Sequence, residues 1–228
     1  MKISLLALLF IIANAANLFS QTYLQPNTGL KSHETLEIRK IVVTPLKTII
    51  SMTIENRITG GNFCADKNIF IIYPDGTRCN LTSSNGIPVC PDSYKFKTIG
   101  EKLQFTLEFP PLKSGTEWID IVEGCNDNCF SFYGVTLNQD LNIRIDDAFA
   151  VAAKGEKTKA IGLYKKILES LPDPAPGIKG TLYSDIITLL IETGDRTGAK
   201  EWYNKLVVSK VPQLGLYIKN LNSRGIKY

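Results

Sequence analysis

Acid–base and nucleophilic chemistry need side chains that titrate near neutrality or can be activated, and this 228-residue chain offers few of them. It holds one histidine, His33, beside a polar N-terminal stretch, so a Ser–His or Cys–His arrangement with a third orienting group has no evident base. No G-x-S-x-G, H-E-x-x-H or phosphate-loop pattern occurs. Sugar hydrolysis needs only two carboxylates. Asp120 and Glu123 stand an odd number of residues apart in an alternating segment, which sends them to opposite faces of a strand. Asp146 and Asp147 read as residues that open a helix, where the N-terminal dipole favours carboxylates. Neither pair is expected to converge on a substrate. Asn126, Asp127 and Asn128 could offer oxygen to calcium, but three side chains supply only part of the about six to eight oxygens that ion takes. The same residue types serve tight turns. No metal and no cofactor is expected.

The five cysteines are the remaining reactive groups. In an exported chain they lean towards disulfides, and an odd count leaves one over. The segments NIFIIY and TRCNLT flank Pro74-Asp75-Gly76, so they should form a hairpin. That register sets Cys79 opposite the neighbourhood of Phe70. Cys64 then lies about 20 Å further along at strand rise, beyond the about 7 Å of Cα separation a disulfide permits. Cys64 and Cys90 precede and follow the hairpin at its open end and can meet. Cys125 and Cys129 bracket one short loop. The expected bonds are therefore Cys64–Cys90 and Cys125–Cys129. Cys79 shares a face with Thr77 and Leu81 and is expected as a buried free thiol. The rival assignment is zinc, for which C-x-x-x-C with no second pair and a lone histidine is a weak pattern.

These groups must be held by elements, and the alternation in the chain says which. Between Glu101 and Asn138 the segments LQFTLEF, EWIDIVE and FSFYGVTL repeat with period two, separated by Pro110-Pro111 and by the Cys-flanked loop. Upstream, ETLEIRKIVVTP and KTIISMTIENR alternate in the same way, with Pro45 at the break, and YKFKTI offers another strand. Gln21 to Ser32 is polar and reads as a loose lead-in. About eight short strands spaced by turns predict two antiparallel sheets face to face, an immunoglobulin-like sandwich, with a closed barrel as the alternative. Phe130 and Phe132 should be core. Tyr133 and Val135 point the other way and would be exposed unless helices cover them.

At Asn138 the period changes. IDDAFAVAAKGEKTKAIGLYKKILESLP places apolar residues at helical spacing, and GTLYSDIITLLIETGDRTGAKEWYNKLVVSKVP repeats it. Gly194, Ala199 and Tyr203 recur 39 residues after Gly155, Ala160 and Tyr164; Pro212 follows Pro172 by one residue more. A glycine at the inter-helix turn, a small residue at a helix crossing, an aromatic one turn later and a closing proline resemble the tetratricopeptide repeat. The tail LGLYIKNLNSRGIKY should add one capping helix. Two hairpins bury little surface alone. The first helix is therefore expected to pack on the end of the sandwich through Phe149 or Ile145, leaving a concave face around Tyr183 and Tyr217 for a partner peptide.

The N-terminus sets the compartment. Lys2, the apolar run Ile3 to Ile12 and the small residues after it read as a secretory signal peptide over residues 1–20, cleaved after Ala15 or Ser20. An uncleaved anchor is the alternative, but the run is shorter than the roughly 20 residues a spanning helix needs. A net charge of +4 with interleaved acids gives no argument for nucleic acid. From Gly61 to Leu137, the runs I-P-V-C-P, F-x-L-x-F-P-P-L, I-V-E-G-C and C-F-S-F-Y-G-V are similar to a secreted β-sandwich module of Bacteroidota that is often followed by helical repeats. The resemblance implies export, fold and domain order, and no activity.

The expectation is therefore an α+β chain: a signal peptide at 1–20, a β-sandwich at 33–138 and an all-α helix-hairpin region at 140–228. Its expected role is that of an exported, non-catalytic binding or assembly module of the periplasm, cell surface or exterior. Its helical repeats would engage a protein or peptide partner, with no nucleic acid and no integral membrane segment after signal cleavage. The alternatives are an accessory carbohydrate-binding envelope protein, for which only Trp118 and Trp202 could serve as platforms, and an unrecognised hydrolase.

Overall fold

The computed structural model describes residues 20–172 and 177–228, so all but the last residue of the expected signal peptide lies outside the described residues. Antiparallel strands fill the N-terminal part and five helices follow, an α+β arrangement. In chain order the strands are β1 (Gln21–Leu24), β2 (Leu30–Lys31), β3 (Leu36–Val43), β4 (Thr48–Glu55), β5 (Asn62–Phe63) and β6 (Ile69–Ile72). They continue with β7 (Arg78–Asn80), β8 (Ser83–Asn85), β9 (Tyr94–Lys95), β10 (Lys102–Phe109), β11 (Trp118–Glu123) and β12 (Ser131–Thr136). One sheet runs β1-β3-β4-β10-β8, the other β2-β12-β11-β6-β7, and β5 pairs with β9.

The two large sheets share one core. Leu36, Ile41, Ile50, Met52, Leu107 and Phe109 enter it from the first sheet, and Ile69, Ile71, Ile119, Ile121, Phe130 and Phe132 from the second. Each alternates with a more exposed neighbour, as period two demands, and each fully buried side chain of this size contributes roughly 1.5–3 kcal/mol. The lead-in is not loose. It holds β1, paired along its length with β3, and β2, paired with β12, so strand pairing begins at Gln21 rather than near 33. Its composition hid this because Tyr23 is the one side chain of β1 that enters the core.

Both expected disulfides are present, Cys64–Cys90 with a Cα separation of 5.3 Å and Cys125–Cys129 with 5.5 Å. In the β6–β7 hairpin Cys79 faces Ile71 and is free, but it is only partly buried, because β7 is a three-residue strand at the edge of its sheet.

The helices are α1 (Gln139–Ala153), α2 (Lys157–Ser170), α3 (Lys179–Glu192), α4 (Arg196–Val208) and α5 (Leu214–Ser223). Asn138 caps α1 by accepting from the Leu141 N–H at 3.0 Å, and Asp195 caps α4 by accepting from Gly198 at 2.8 Å. Because the cap is Asn138, the helix starts earlier than expected, and Asp146 and Asp147 fall in its middle rather than at its opening. Gly155 and Gly194 turn the chain between helices at φ of 86° and 84°, a region that favours glycine. Ala160 and Ala199 have no exposed surface, and Tyr164 and Tyr203 pack beside them.

The helical region is fastened to the second sheet by backbone and amide contacts, not by the apolar residues expected. The Asn142 Oδ1 accepts from the Asn27 N–H at 2.8 Å, while its Nδ2 donates to the Thr136 carbonyl at 3.0 Å. The Tyr217 hydroxyl donates to the Gly177 carbonyl at 2.9 Å, and Thr181 Oγ1 donates to the Gly29 carbonyl at 2.8 Å. At Gly134, whose φ is 67°, a Cβ would stand 2.5 Å from the carbonyl carbon of Gly177, so the two segments meet where neither carries a side chain. Phe149, in contrast, is 67% exposed, lying about 100° round the helix from Ala148, and Ile145 is buried among the other helices. Val135, expected on the outer face, instead joins Leu137 in the core between the sheets, because the β11–β12 register shifts between Ile119 and Ile121, while Tyr133 is partly covered.

Candidate functional site

The sequence-named carboxylates turn out to be structural. Glu123 points inward, where its Oε2 accepts from the Phe130 N–H at 2.9 Å and its Oε1 from the Asp66 N–H at 2.6 Å. It thereby ties the Cys125–Cys129 loop to the segment entering β6. Asp120 points to the other face and accepts from the Gly134 N–H at 2.7 Å beneath the helical region. Burial pushes both carboxyls above the usual carboxylate range. The two lie on opposite faces, as the alternation predicted, and do not converge.

His33 is partly buried, edge-on to Phe63 at 6.1 Å, with Nδ1 bonded to Ser32 Oγ at 2.8 Å; burial holds its pKa below the ordinary value. Asn126, Asp127 and Asn128 are exposed, and Asn128 takes a φ of 54°, the backbone of a tight turn. Trp118 opens β11 partly buried against Gly177, where a Cβ would lie 3.7 Å from its ring.

Of the two tyrosines assigned to a partner face, the structure separates one from the other. Tyr217 is 2% exposed and belongs to the junction, because its ring packs over Gly180 and its hydroxyl reaches the Gly177 carbonyl. It is not open to a partner. Tyr183 on α3 is partly exposed and pairs with Trp202 on α4, ring centroids 5.8 Å apart. Above the Trp202 indole stand two ammonium groups, Lys205 Nζ at 4.3 Å from the ring centroid and Lys165 Nζ at 5.1 Å. Lys205 sits three positions after Trp202 on α4, and Lys165 reaches over from α2, so three helices build the patch. Among the described residues, neither lysine has a carboxylate within ion-pair distance. The surrounding charge agrees: residues 140–228 hold 14 Lys and Arg against 10 Asp and Glu, while residues 1–139 hold 12 of each. Sequence reasoning missed Lys165 and Lys205, because nothing in spacing along one helix reveals a contact between two.

A second group was also missed. Asp185, on the inner side of α3, forms no hydrogen bond or ion pair among the described residues. Its carboxyl is pushed up to about 7 by burial, partly opposed by the nearby Arg224 guanidinium. The same charge helps raise the hydroxyl pKa of Tyr164 and, with Asp120, that of Tyr217, each chiefly raised by burial. A signal was available: Asp185 stands at i+3 from Leu182 and i−4 from Leu189, in the apolar stripe of its helix.

No family model matches the chain, and neither a curated protein nor a solved structure matches it.

Proposed function

We propose that this protein is an exported, non-catalytic binding module whose helical region engages an acidic segment of a protein partner. The observation that carries this reading is the Tyr183–Trp202 pair beneath Lys165 and Lys205. Each ammonium over an exposed ring is worth about 0.5–1 kcal/mol, yet two like charges on one indole repel each other. A carboxylate arriving between them relieves that repulsion, and an apolar neighbour in the same segment covers the ring.

The finer fold in this reading is an immunoglobulin-like sandwich followed by tetratricopeptide-like hairpins. The shared core of two antiparallel sheets supports the first, and the matched positions Gly155/Gly194, Ala160/Ala199 and Tyr164/Tyr203 support the second. Two disulfides and the apolar N-terminal run support export. Among the described residues no helix is long and apolar enough to cross a membrane. A carbohydrate platform would need tryptophans side by side on one face, whereas Trp118 opens β11 and Trp202 lies on α4.

The test is titration of the protein with peptides that alternate Glu or Asp with Leu or Phe, against neutral and basic peptides of the same pattern, followed by tryptophan fluorescence. Acidic peptides should bind best, more weakly as salt rises, and Lys165→Glu with Lys205→Glu should cost at least about tenfold. Equal binding of the three peptide classes would overturn the reading.

A further inference from the structure

Beside the first sheet runs an open groove of about 1040 Å³, lined by the whole of β1, by Thr44 and Pro45, by the loop from Leu112 to Glu117, and by Leu137 to Gln139. β1 is an edge strand, with β3 as its one neighbour. The hydrogen-bond phase says where its other groups point. Gln25 N–H donates to the Arg39 carbonyl at 3.0 Å, which makes that a bonded pair, and with alternation Tyr23/Ile41 and Gln21/Val43 are bonded too. The far side of β3 agrees: Thr44 N–H donates to the Lys47 carbonyl, so Val42 and Lys40 bond to β4 instead. Thr22 and Leu24 therefore aim their N–H and C=O groups away from the sheet, two residues apart. Among the described residues nothing pairs with them.

We propose that this edge is a strand acceptor: an extended segment of another protein adds to β1 and fills the groove. Four ladder groups at strand spacing are complementary to a β-strand and to little else. A strand is about 4.8 Å wide between neighbours and about 10 Å deep between packed faces, so the groove holds about 20 Å of one strand, or about six residues. The loop from Leu112 to Glu117 lines the groove together with β1. Although β1 is short, it holds no lysine or proline to blunt the edge, and Leu24 is 69% exposed. This site lies on the β region and is independent of the helical patch proposed above.

The experiment uses the oxidised protein from Gln21 to Tyr228 and a panel of eight-residue peptides alternating Val, Ile or Thr with polar residues. Amide hydrogen exchange is read at Thr22 and Leu24, and affinity by anisotropy of labelled peptide. A bound strand should slow exchange at both amides. Thr22→Pro removes one outward donor without touching a bond to β3, and edge strands tolerate proline there; it should weaken binding at least about tenfold, while Thr22→Val should not. Lys165→Glu with Lys205→Glu should leave strand binding unchanged, which separates this result from the acidic-peptide test. Unprotected amides across the whole panel, or equal binding by the proline and valine variants, would overturn the proposal. So would a concentration-dependent dimer that protects the two amides without peptide, or protection by residues 1–19 in the chain that retains them.

Discussion

Asp185→Asn should make the protein more stable at neutral pH and remove much of its pH dependence. Asp185 lies on the inner side of α3 without a hydrogen-bond partner among the described residues, and its carboxyl is pushed up to about 7 from 3.8 by burial. A raised acid pKa means that the folded chain holds the proton where the unfolded chain has lost it. Unfolding then releases a proton, and stability falls as pH rises from about 4 to about 7, levelling off where both states are ionised. At 1.36 kcal/mol per unit, the cost of the ionised carboxylate approaches about 4 kcal/mol above pH 7, an upper bound that local water and Arg224 reduce. For a chain of this size that corresponds to a rise of about 10 °C in Tm on removing the charge. Urea and thermal unfolding of wild type and Asp185→Asn at pH 4.5 and pH 8 read it directly. The two should match in acid and diverge in base, with the variant the more stable. Arg224→Ala, which removes the opposing cation, should steepen the wild-type slope. If Asp185→Asn is less stable than wild type at pH 8, the carboxylate is ionised and paired in the folded protein, and the reasoning fails.

Other outcomes follow from the same contacts. Glu123→Ala leaves the Phe130 and Asp66 N–H groups without their acceptor and should cost about 2–5 kcal/mol by urea unfolding, with Glu123→Gln milder. Gly134→Ala forces a left-handed residue and a Cβ against Gly177, so it should lower Tm and split one cooperative transition into two in calorimetry; a single unchanged transition would refute the close approach. Alkylation of the unfolded, unreduced protein should label Cys79 alone by peptide mapping. Removing Cys64–Cys90 should cost about 3 kcal/mol in denaturant unfolding, and removing Cys125–Cys129 less, since its loop of four residues restrains little unfolded-chain entropy.

What the chain disclosed in advance was local. The period-two segments became β3, β4, β10, β11 and β12, and the 39-residue recurrence became two helix hairpins, because each signal lies within one or two elements. The disulfide pairing was legible because one hairpin register constrains it. The β1 and β2 pairings were not, since four- and two-residue strands carry almost no alternation; β1 owes its place to Tyr23 and to its pairing with β3, and β2 to neighbours over a hundred residues away. The junction was misread for a related reason. Phe149 and Ile145 are the apolar residues a surface-burial argument selects, whereas the contact is made by Asn27, Asn142, Gly134 and Gly177, with Leu30 and Trp118 packing from the sheet side. Tyr217 was assigned to a free face by helical spacing alone, and the face it occupies is the one that meets the sheet.

Three acids shifted by burial share one electrostatic sense. Asp120 under the helical region, Asp185 on α3 and Glu123 beneath the Cys125–Cys129 loop are all raised by burial, and the Arg224 guanidinium opposes the effect at Asp185. Two surface carboxyls pull the other way: Lys113 and Thr77 hold Asp75 well below the usual range, and the Tyr94 hydroxyl with the Lys97 N–H lowers Glu101. Asp75 is exposed and Glu101 only partly buried, so solvent and salt screen their contribution more than that of the buried set. Asp185, pushed up to about 7, therefore favours the folded state as pH falls from neutrality, while His33, lowered by burial, opposes it once the pH passes below the ordinary histidine value.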